Sequence, residues 1–369
     1  MKAIFCKSLT ASKKYAVVIL TVMTVSVLSW NGMHDSPSID ECGHLAAGLS
    51  HCQTGRFDLY KVNPPLTRTS ALLIPSCFAA CRVPYQPRPT ESRREFELGK
   101  WLIRVAPAHS LHQVMAGRFF CVAMFPFLLL TVRSLLRESQ LDACFTTAAL
   151  LLLFSPLTGA SASMITPDFT AAVFGFIAIA QFRTWLASGD LMQTLRLGVA
   201  VSAALLTKFT WFVILPVAII GIWLSRAVMW RLCLRQVILD VRAFAFVSAF
   251  TLLAINAFYQ FNDSLKPVGE IECVSRLFAG SDENRLNRRN VLFGTCVHYF
   301  PSPLPPLYIQ GIDLQRRDFE VGYRSYLMGE WKHGGWWYYY LVGFLVKEPI
   351  GFQLMLYVSI LHGLWNWRR

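Results

Sequence analysis

The sequence predicts an all-α polytopic membrane protein, and three observations carry that reading. Of 369 residues, 54% are hydrophobic and only 15% are charged, whereas a soluble domain carries about 25% charge. Mean hydropathy is +0.42, and apolar runs of about 18 residues or more recur along the chain, each long enough to cross a bilayer. Apart from Lys208, the basic residues of the short connections between these runs fall on alternate ones, the pattern that orients spans in a membrane.

The first run, 15–33, follows Lys2, Lys7, Lys13 and Lys14. It exceeds the about 7–15 residues of a signal-peptide core and no A-x-A-like site follows, so it reads as an uncleaved span. Further spans are expected at 112–132, 143–163, 169–187, 196–207, 209–225, 243–260 and 336–359, eight in all. The fifth is short and has the length of half a span. Segments 34–111 and 261–335 are far longer than the other connections, and connections of that length are usually functional or disordered. The chain therefore divides into an N-terminal segment 1–14, a seven-span module 15–260 containing loop 34–111, a second loop 261–335, and a final span with a short basic tail, 336–369.

With a cytoplasmic N-terminus, the cytoplasmic side collects the four lysines above, then Arg133, Arg137, Arg183, Arg196, Arg226, Arg231, Arg235, Arg242, Arg368 and Arg369. Both long loops then lie outside, where their own charges count little. Both termini are expected to be cytoplasmic. The net charge of +13 is thus an orientation signal, and no nucleic-acid-binding motif accompanies it. There is no P-loop and no GxGxxG after a strand, so any chemistry is expected at the outer membrane surface. Segment 89–105 spaces Phe96, Leu98, Leu102, Ile103 and Val105 between Arg93, Arg94, Lys100 and Arg104, which suits a helix lying in the interface plane. Of ten cysteines, Cys6, Cys121, Cys144 and Cys233 fall in or beside spans. Cys42, Cys52, Cys77, Cys81, Cys273 and Cys296 leave a disulfide open, with no pairing dictated.

The stretch SIDECGHLAAGLSHCQTGRFDLYKVNPPL at 38–66 follows directly on the first span. Residues three or four apart share a helix face, so Asp40, His44, Gly48 and His51 put a carboxylate and two imidazoles on one side. Glu41 is three residues from His44. A carboxylate at a low-dielectric boundary acts as a base when its pKa rises. The plainer reading is a solvated helix start with Asp40, after Ser38, as its cap. A zinc set from Asp40 or Glu41 with His44 and His51 uses acceptable ligands but matches no metalloenzyme motif. Asn63-Pro64-Pro65 has two fixed φ angles and holds the loop on a defined path.

Other charges lie at membrane depth, where insertion costs about 2.5–3.5 kcal/mol each. Asp168 is placed at the outer mouth between the third and fourth spans, and Lys208 at the turn between the fifth and sixth. Arg118 lies near the outer end of the second, and Lys347 and Glu348 in or near the last. The plain alternatives are snorkelling for Lys208 and Arg118, a helix cap for Asp168, and mutual neutralisation for Lys347 and Glu348. Carboxylates and cations gathered on one outer surface fit an anionic lipid headgroup.

Asp40-Glu41 after the first span, GRFDLYKVNPPL, TPDF, LLTKFT and YLMGEWKHGGWWYYYLVGFLVKEPIG together resemble the GT-C glycosyltransferases. The branch they look most like is the bacterial form of the protein O-mannosyltransferase and aminoarabinose transferase superfamily. The resemblance covers about residues 15 to 355 and implies a GT-C-type helical bundle with two large extracytoplasmic loops. It implies inverting transfer of a sugar from a polyprenyl-phosphate donor to an acceptor outside, whether protein, lipid or polymer. By the same resemblance Asp40 is the general base with Glu41 beside it, and His44 and Asn63 line the cavity. Asp168 matches a second acidic position, Lys208 and Arg118 face the lipid phosphate, and Lys347 stands in a Lys-x-Pro signature. Some relatives use a divalent metal and others do not, so the resemblance leaves a metal open. It implies a multi-pass protein of the bacterial inner membrane. Relatives run longer after the second loop, so a minimal, truncated or non-catalytic relative that binds lipid or a partner is the alternative. A transporter is a third class, expected to show paired broken helices in two related halves.

In the second loop, DENRLNRRN is expected to be solvated and YFPSPLPPLYIQGIDLQ extended. EWKHGGWWYYY reads as an aromatic belt or as a stacking surface for a sugar.

Overall fold

The computed structural model describes residues 2–84, 93–230 and 233–367. Arg231, Arg368 and Arg369, used in the orientation argument, and the start of the expected interface helix, 89–92, lie outside the described residues.

The described residues are all-α apart from one small hairpin. Among the described residues four helices are long and apolar enough to cross a membrane: Pro107–Glu138 (α5), Pro167–Ser188 (α8), Trp211–Val228 within α10 (Trp211–Trp230), and Leu234–Phe258 (α11). Two bent helix pairs raise the number to six if each is one span. Val18–His34, the apolar part of α1 (Lys2–His34), and Leu191–Thr207 (α9) are shorter apolar helices. Each expected span thus falls on an apolar helix or helix pair, but eight straight spans do not form.

The two departures share a cause. Segment 143–163 splits into α6 (Phe145–Leu153) and α7 (Pro156–Ala162), bent by 68°. Ser155 caps α7 through its Oγ, which accepts from the Thr158 N–H at 3.2 Å. The last expected span splits into α15 (Tyr339–Lys347) and α16 (Ile350–Trp367) at 118°. In each case the residue before a proline is extended, Ser155 with ψ 115° and Glu348 with ψ 144°, the conformation that the proline ring favours.

The long first connection is itself helical. It holds α2 (Ile39–Thr54), α3 (Leu66–Ser76) and α4 (Arg94–Val105). α2 lies between α3 and α4, and Leu45, Leu49, Leu72, Leu98, Leu102, Val114 and Ile165 share one core. This corrects the interface-plane reading of α4: its apolar residues Leu98 and Leu102 pack on protein, because α2 offers them an apolar face. α2 and α4 approach closely at Gly99, where a Cβ would overlap the Cys42 carbonyl.

α8, α9 and α11 pack around Phe182, Trp185, Leu197, Ala204 and Val247. The second long loop carries α12 (Arg276–Ala279), α13 (Asp282–Leu286) and α14 (Pro306–Val321). The extended reading of the proline-rich stretch holds at Pro305, with ψ 140°, and is corrected from Pro306 onward. Pro306 stands at the first helical position, where a fixed φ and a missing N–H favour a helix. α14 docks through Tyr308, whose hydroxyl donates to the Leu205 carbonyl at 3.1 Å, within a cluster of Phe57, Phe209, Ile255 and Tyr259. The aromatic stretch begins in an antiparallel hairpin, β1 (Arg324–Leu327) with β2 (Glu330–His333). Met328 and Gly329, with φ of 50° and 93°, close it, the positive pair that matches strand twist. Cys42, Cys52, Cys77, Cys81, Cys121, Cys144, Cys233, Cys273 and Cys296 are free.

The α2–α4 contact gives a first prediction. The obstacle at Gly99 is backbone, which cannot swing aside, so Gly99→Ala should destabilise the fold by about 1–3 kcal/mol. Thermal unfolding of the detergent-solubilised protein measures this. An unchanged midpoint would mean that the helices are not in close contact there.

Candidate functional site

The site is built around the start of α2. Ser38 caps the helix, its Oγ accepting from the Glu41 N–H at 3.3 Å, while the Ser38 N–H donates to Glu41 Oε2 at 2.9 Å. Ser38, not Asp40, is therefore the cap. This reciprocal arrangement satisfies two helix-end donors, but here the carboxylate does more. Arg118 donates through Nε to Oε1 at 2.8 Å and through a terminal nitrogen to Oε2 at 2.7 Å. The Ile165 N–H donates to Oε1 at 3.0 Å.

The remaining Arg118 donors reach the carbonyls of Gly32 at 2.9 Å, Asp35 at 2.7 Å and Ser36 at 3.3 Å. All five guanidinium N–H groups and about four carboxylate acceptor positions are thereby filled. Glu41 is 0% and Arg118 1% exposed. The pair ties the end of α1, the linker to α2, α2 itself, α5 and the approach to α8. Burial pushes the Glu41 carboxyl up, but the bonds from Arg118, Ser38 and Ile165 outweigh it and hold the group below its ordinary value. Glu41 is therefore a structural clamp with no acceptor to offer a reacting group. Arg118 neither snorkels nor faces a lipid phosphate, because Glu41 and three carbonyls occupy it.

Asp40, the neighbouring residue, is exposed on the first turn of α2. Asp168 lies three residues beyond Ile165, in the first turn of α8, with Thr166 rather than Asp168 at the cap position. Its Oδ1 accepts from Lys208 Nζ at 2.5 Å, and the side chains are 55% and 31% exposed respectively. Lys208 caps the C-terminus of α9 in extended conformation. Thr67, at the start of α3, and Thr170 share a hydroxyl bond of 2.6 Å. The starts of α2, α3 and α8 and the end of α9 are thus held in one neighbourhood. Lys61 reaches α14 through Gln310 at 2.9 Å.

Beneath the Asn-Pro-Pro turn lies a second buried cation that the sequence reading missed, Arg68. It donates to the carbonyls of Tyr60 at 2.6 Å, Asn63 at 2.9 Å and Pro64 at 3.2 Å, and its guanidinium sits 4.6 Å from the Tyr60 ring centroid. One side chain thus fixes the turn. His44 packs on Tyr60 and His51 on Phe57, each with ring centroids 4.9 Å apart. Both imidazoles are buried, so His44 does not face an open surface. Burial first, and then the charge of Arg68, hold both well below the ordinary histidine value. Nearby Glu95 pairs with Arg93 at 2.6 Å, and Arg93 reaches Asp318 of α14 at 3.1 Å. Burial raises the Glu95 carboxyl despite that partner. The available signal for Arg68 was a lone arginine in the apolar run LTRTSALLIPS.

Lys347 is exposed on the last residue of α15. Its neighbour Glu348 accepts from Ser155 Oγ at 3.1 Å, so the two helix elbows meet there. Among the described residues no three His, Cys, Asp or Glu side chains gather to hold a metal ion. The zinc set does not form: Glu41 is taken by Arg118, and Asp40 is exposed while both imidazoles are buried. No family model, curated protein or solved structure matches the chain.

Two predictions follow from the clamp and the imidazoles. Arg118→Met strands a buried carboxylate and should cost about 3–5 kcal/mol, while Asp40→Asn, on the adjacent exposed residue, should stay within about 0.5 kcal/mol. Unfolding of both variants in detergent separates the roles, and equal effects would refute the assignment. Acid should destabilise the protein in two stages. Unfolded histidines take up protons below their ordinary value of 6.5 while His44 and His51 stay neutral. Stability should therefore fall below that pH by about 1.4 kcal/mol per pH unit for each histidine. Glu41 adds a further loss as pH drops through its depressed folded value. His51→Phe should halve the slope of the first stage, and an unaltered slope would show that His51 titrates normally.

Proposed function

We propose that the protein is a membrane glycosyltransferase of GT-C type, moving a sugar from a polyprenyl-phosphate donor to an extracytoplasmic acceptor with inversion. The observation that carries this reading is the free carboxylate of Asp40, one residue from a fully buried clamp. The exposed Asp168–Lys208 pair belongs to the same neighbourhood. Asp40 removes the proton from the acceptor hydroxyl as its oxygen bonds to the sugar C1. The C1–O bond to phosphate breaks on the opposite face, and the polyprenyl phosphate leaves with the electron pair. One carboxylate suffices for such a single displacement. Lys208 has two ammonium donors beyond the one given to Asp168, and these meet the developing phosphate charge.

Glu41 and Arg118 serve this scheme by position, and Asn63 by shaping the turn that Arg68 holds. Lys347 remains a candidate for a lipid headgroup at the α15–α16 elbow. Membranes containing the protein, supplied with a panel of labelled polyprenyl-phosphate sugars, test the proposal. Asp40→Asn at equal protein level should lower transfer by about 10²–10⁴-fold. Equal transfer by both forms would remove Asp40 as the base. A second reading, lipid or ion translocation, draws support from the two broken helices joined at Ser155 and Glu348, since discontinuous helices form transporter sites. Flux without sugar transfer would favour it.

A further inference from the structure

Seven buried side-chain polar atoms have no hydrogen-bond partner among the described residues, and six of them fall between residues 44 and 69. They are His44 Nδ1, both ring nitrogens of His51, Asn63 Oδ1, Arg68 Nε and Thr69 Oγ1. Native interiors leave few such atoms, and each calls for a partner; Tyr60 gathers three of their residues, with His44 packed on its ring, Arg68 over it and Asn63 at its hydroxyl. Arg68 is 1% exposed, and no carboxylate of the described residues lies within ion-pair distance of it. Glu95, the carboxylate that acts on it electrostatically, is already bonded to Arg93. An arginine charge is permanent, and a buried charge without a counter-charge is costly. Water answers an unpaired N–H but does not neutralise a guanidinium.

From these observations we infer that His44, His51 and Arg68 form a binding site for a phosphate-class oxyanion, beneath the turn at Asn63. Arg68 supplies the charge and its unused Nε–H. Neutral imidazoles supply N–H donors. Asn63 is half-buried and lies at the edge of the cluster, and its carbonyl oxygen accepts from a protonated anion oxygen. The tight packing of His44 on Tyr60 and His51 on Phe57 holds both rings in place. This deepens the glycosyl-transfer reading, and rests on it only in making a lipid phosphate one of two sources for the anion. The other source is free phosphate.

Equilibrium binding to the purified full-length protein in detergent tests the site, with inorganic phosphate in one arm and a short-chain isoprenyl phosphate in the other. Saturable, one-to-one binding is expected. His51→Phe keeps the ring packed on Phe57 and removes both nitrogens, and should weaken binding by about tenfold or more, a loss of about 1.4 kcal/mol. Arg68→Lys keeps the charge but loses the fork, and should weaken it too. Unfolding curves establish that each variant is folded. Binding of both ligands supports a free-phosphate site, and binding of the isoprenyl phosphate alone supports a lipid source. No saturable binding by folded wild-type protein would overturn the inference, as would binding that both folded variants retain in full. Phosphate binding without sugar transfer would sink the glycosyl-transfer reading and leave this one standing. Transfer without phosphate binding would do the reverse.

Discussion

The architecture depends on one buried ion pair, Glu41 with Arg118. Removing two charges from water costs several kcal/mol per ion, and a pair repays it only when every donor and acceptor is met. Here they are met, by two side-chain bonds, three carbonyls and two backbone N–H groups. These groups come from three separate stretches of the chain: 32–41, Arg118 and Ile165. No apolar substitute could hold them with the same direction, because three of the groups are backbone carbonyls at the end of α1 and in its linker. The pair fixes the angle at which α2 leaves α1 and the level at which α8 begins.

That constraint separates the fates of two adjacent carboxylates. Glu41, the third residue after the cap serine, turns inward, and Asp40 turns outward. A helix start with one anchored and one free carboxylate presents the free one at a defined place without asking it to carry structure. The same logic explains the contrast between the two buried arginines. Arg118 has all five donors met and a carboxylate opposite. Arg68 has three carbonyls, an aromatic face and an unmet Nε–H. The first is a finished structural element. The second retains binding capacity.

Much of the membrane layout was legible, because an apolar run of about 18 residues has few other uses. The elbows were not. Pro156 and Pro349 break their helices, yet Pro126 and Pro216 lie inside α5 and α10 without ending them, so proline alone did not decide. α4 was read by its own amphipathic pattern, which cannot say whether lipid or protein covers the apolar face. Pro306 was read as part of an extended run, although the same fixed φ opens a helix. In the site, the acidic start of α2 stood out by its position after an apolar run. Its division of labour did not, because Arg118 is 77 residues from Glu41 and Lys208 is 40 from Asp168. Local spacing carries no information about such partners.

Carbodiimide labelling of carboxylates in the detergent-solubilised protein, read residue by residue by mass spectrometry, tests the central claim most directly. The account predicts rapid labelling of Asp40 in the folded protein. Glu41, one residue away, should be labelled only after unfolding or in Arg118→Met. Comparable labelling of both carboxylates in the folded wild type would contradict the clamp, and with it the separation of a structural from a reactive carboxylate at the start of α2.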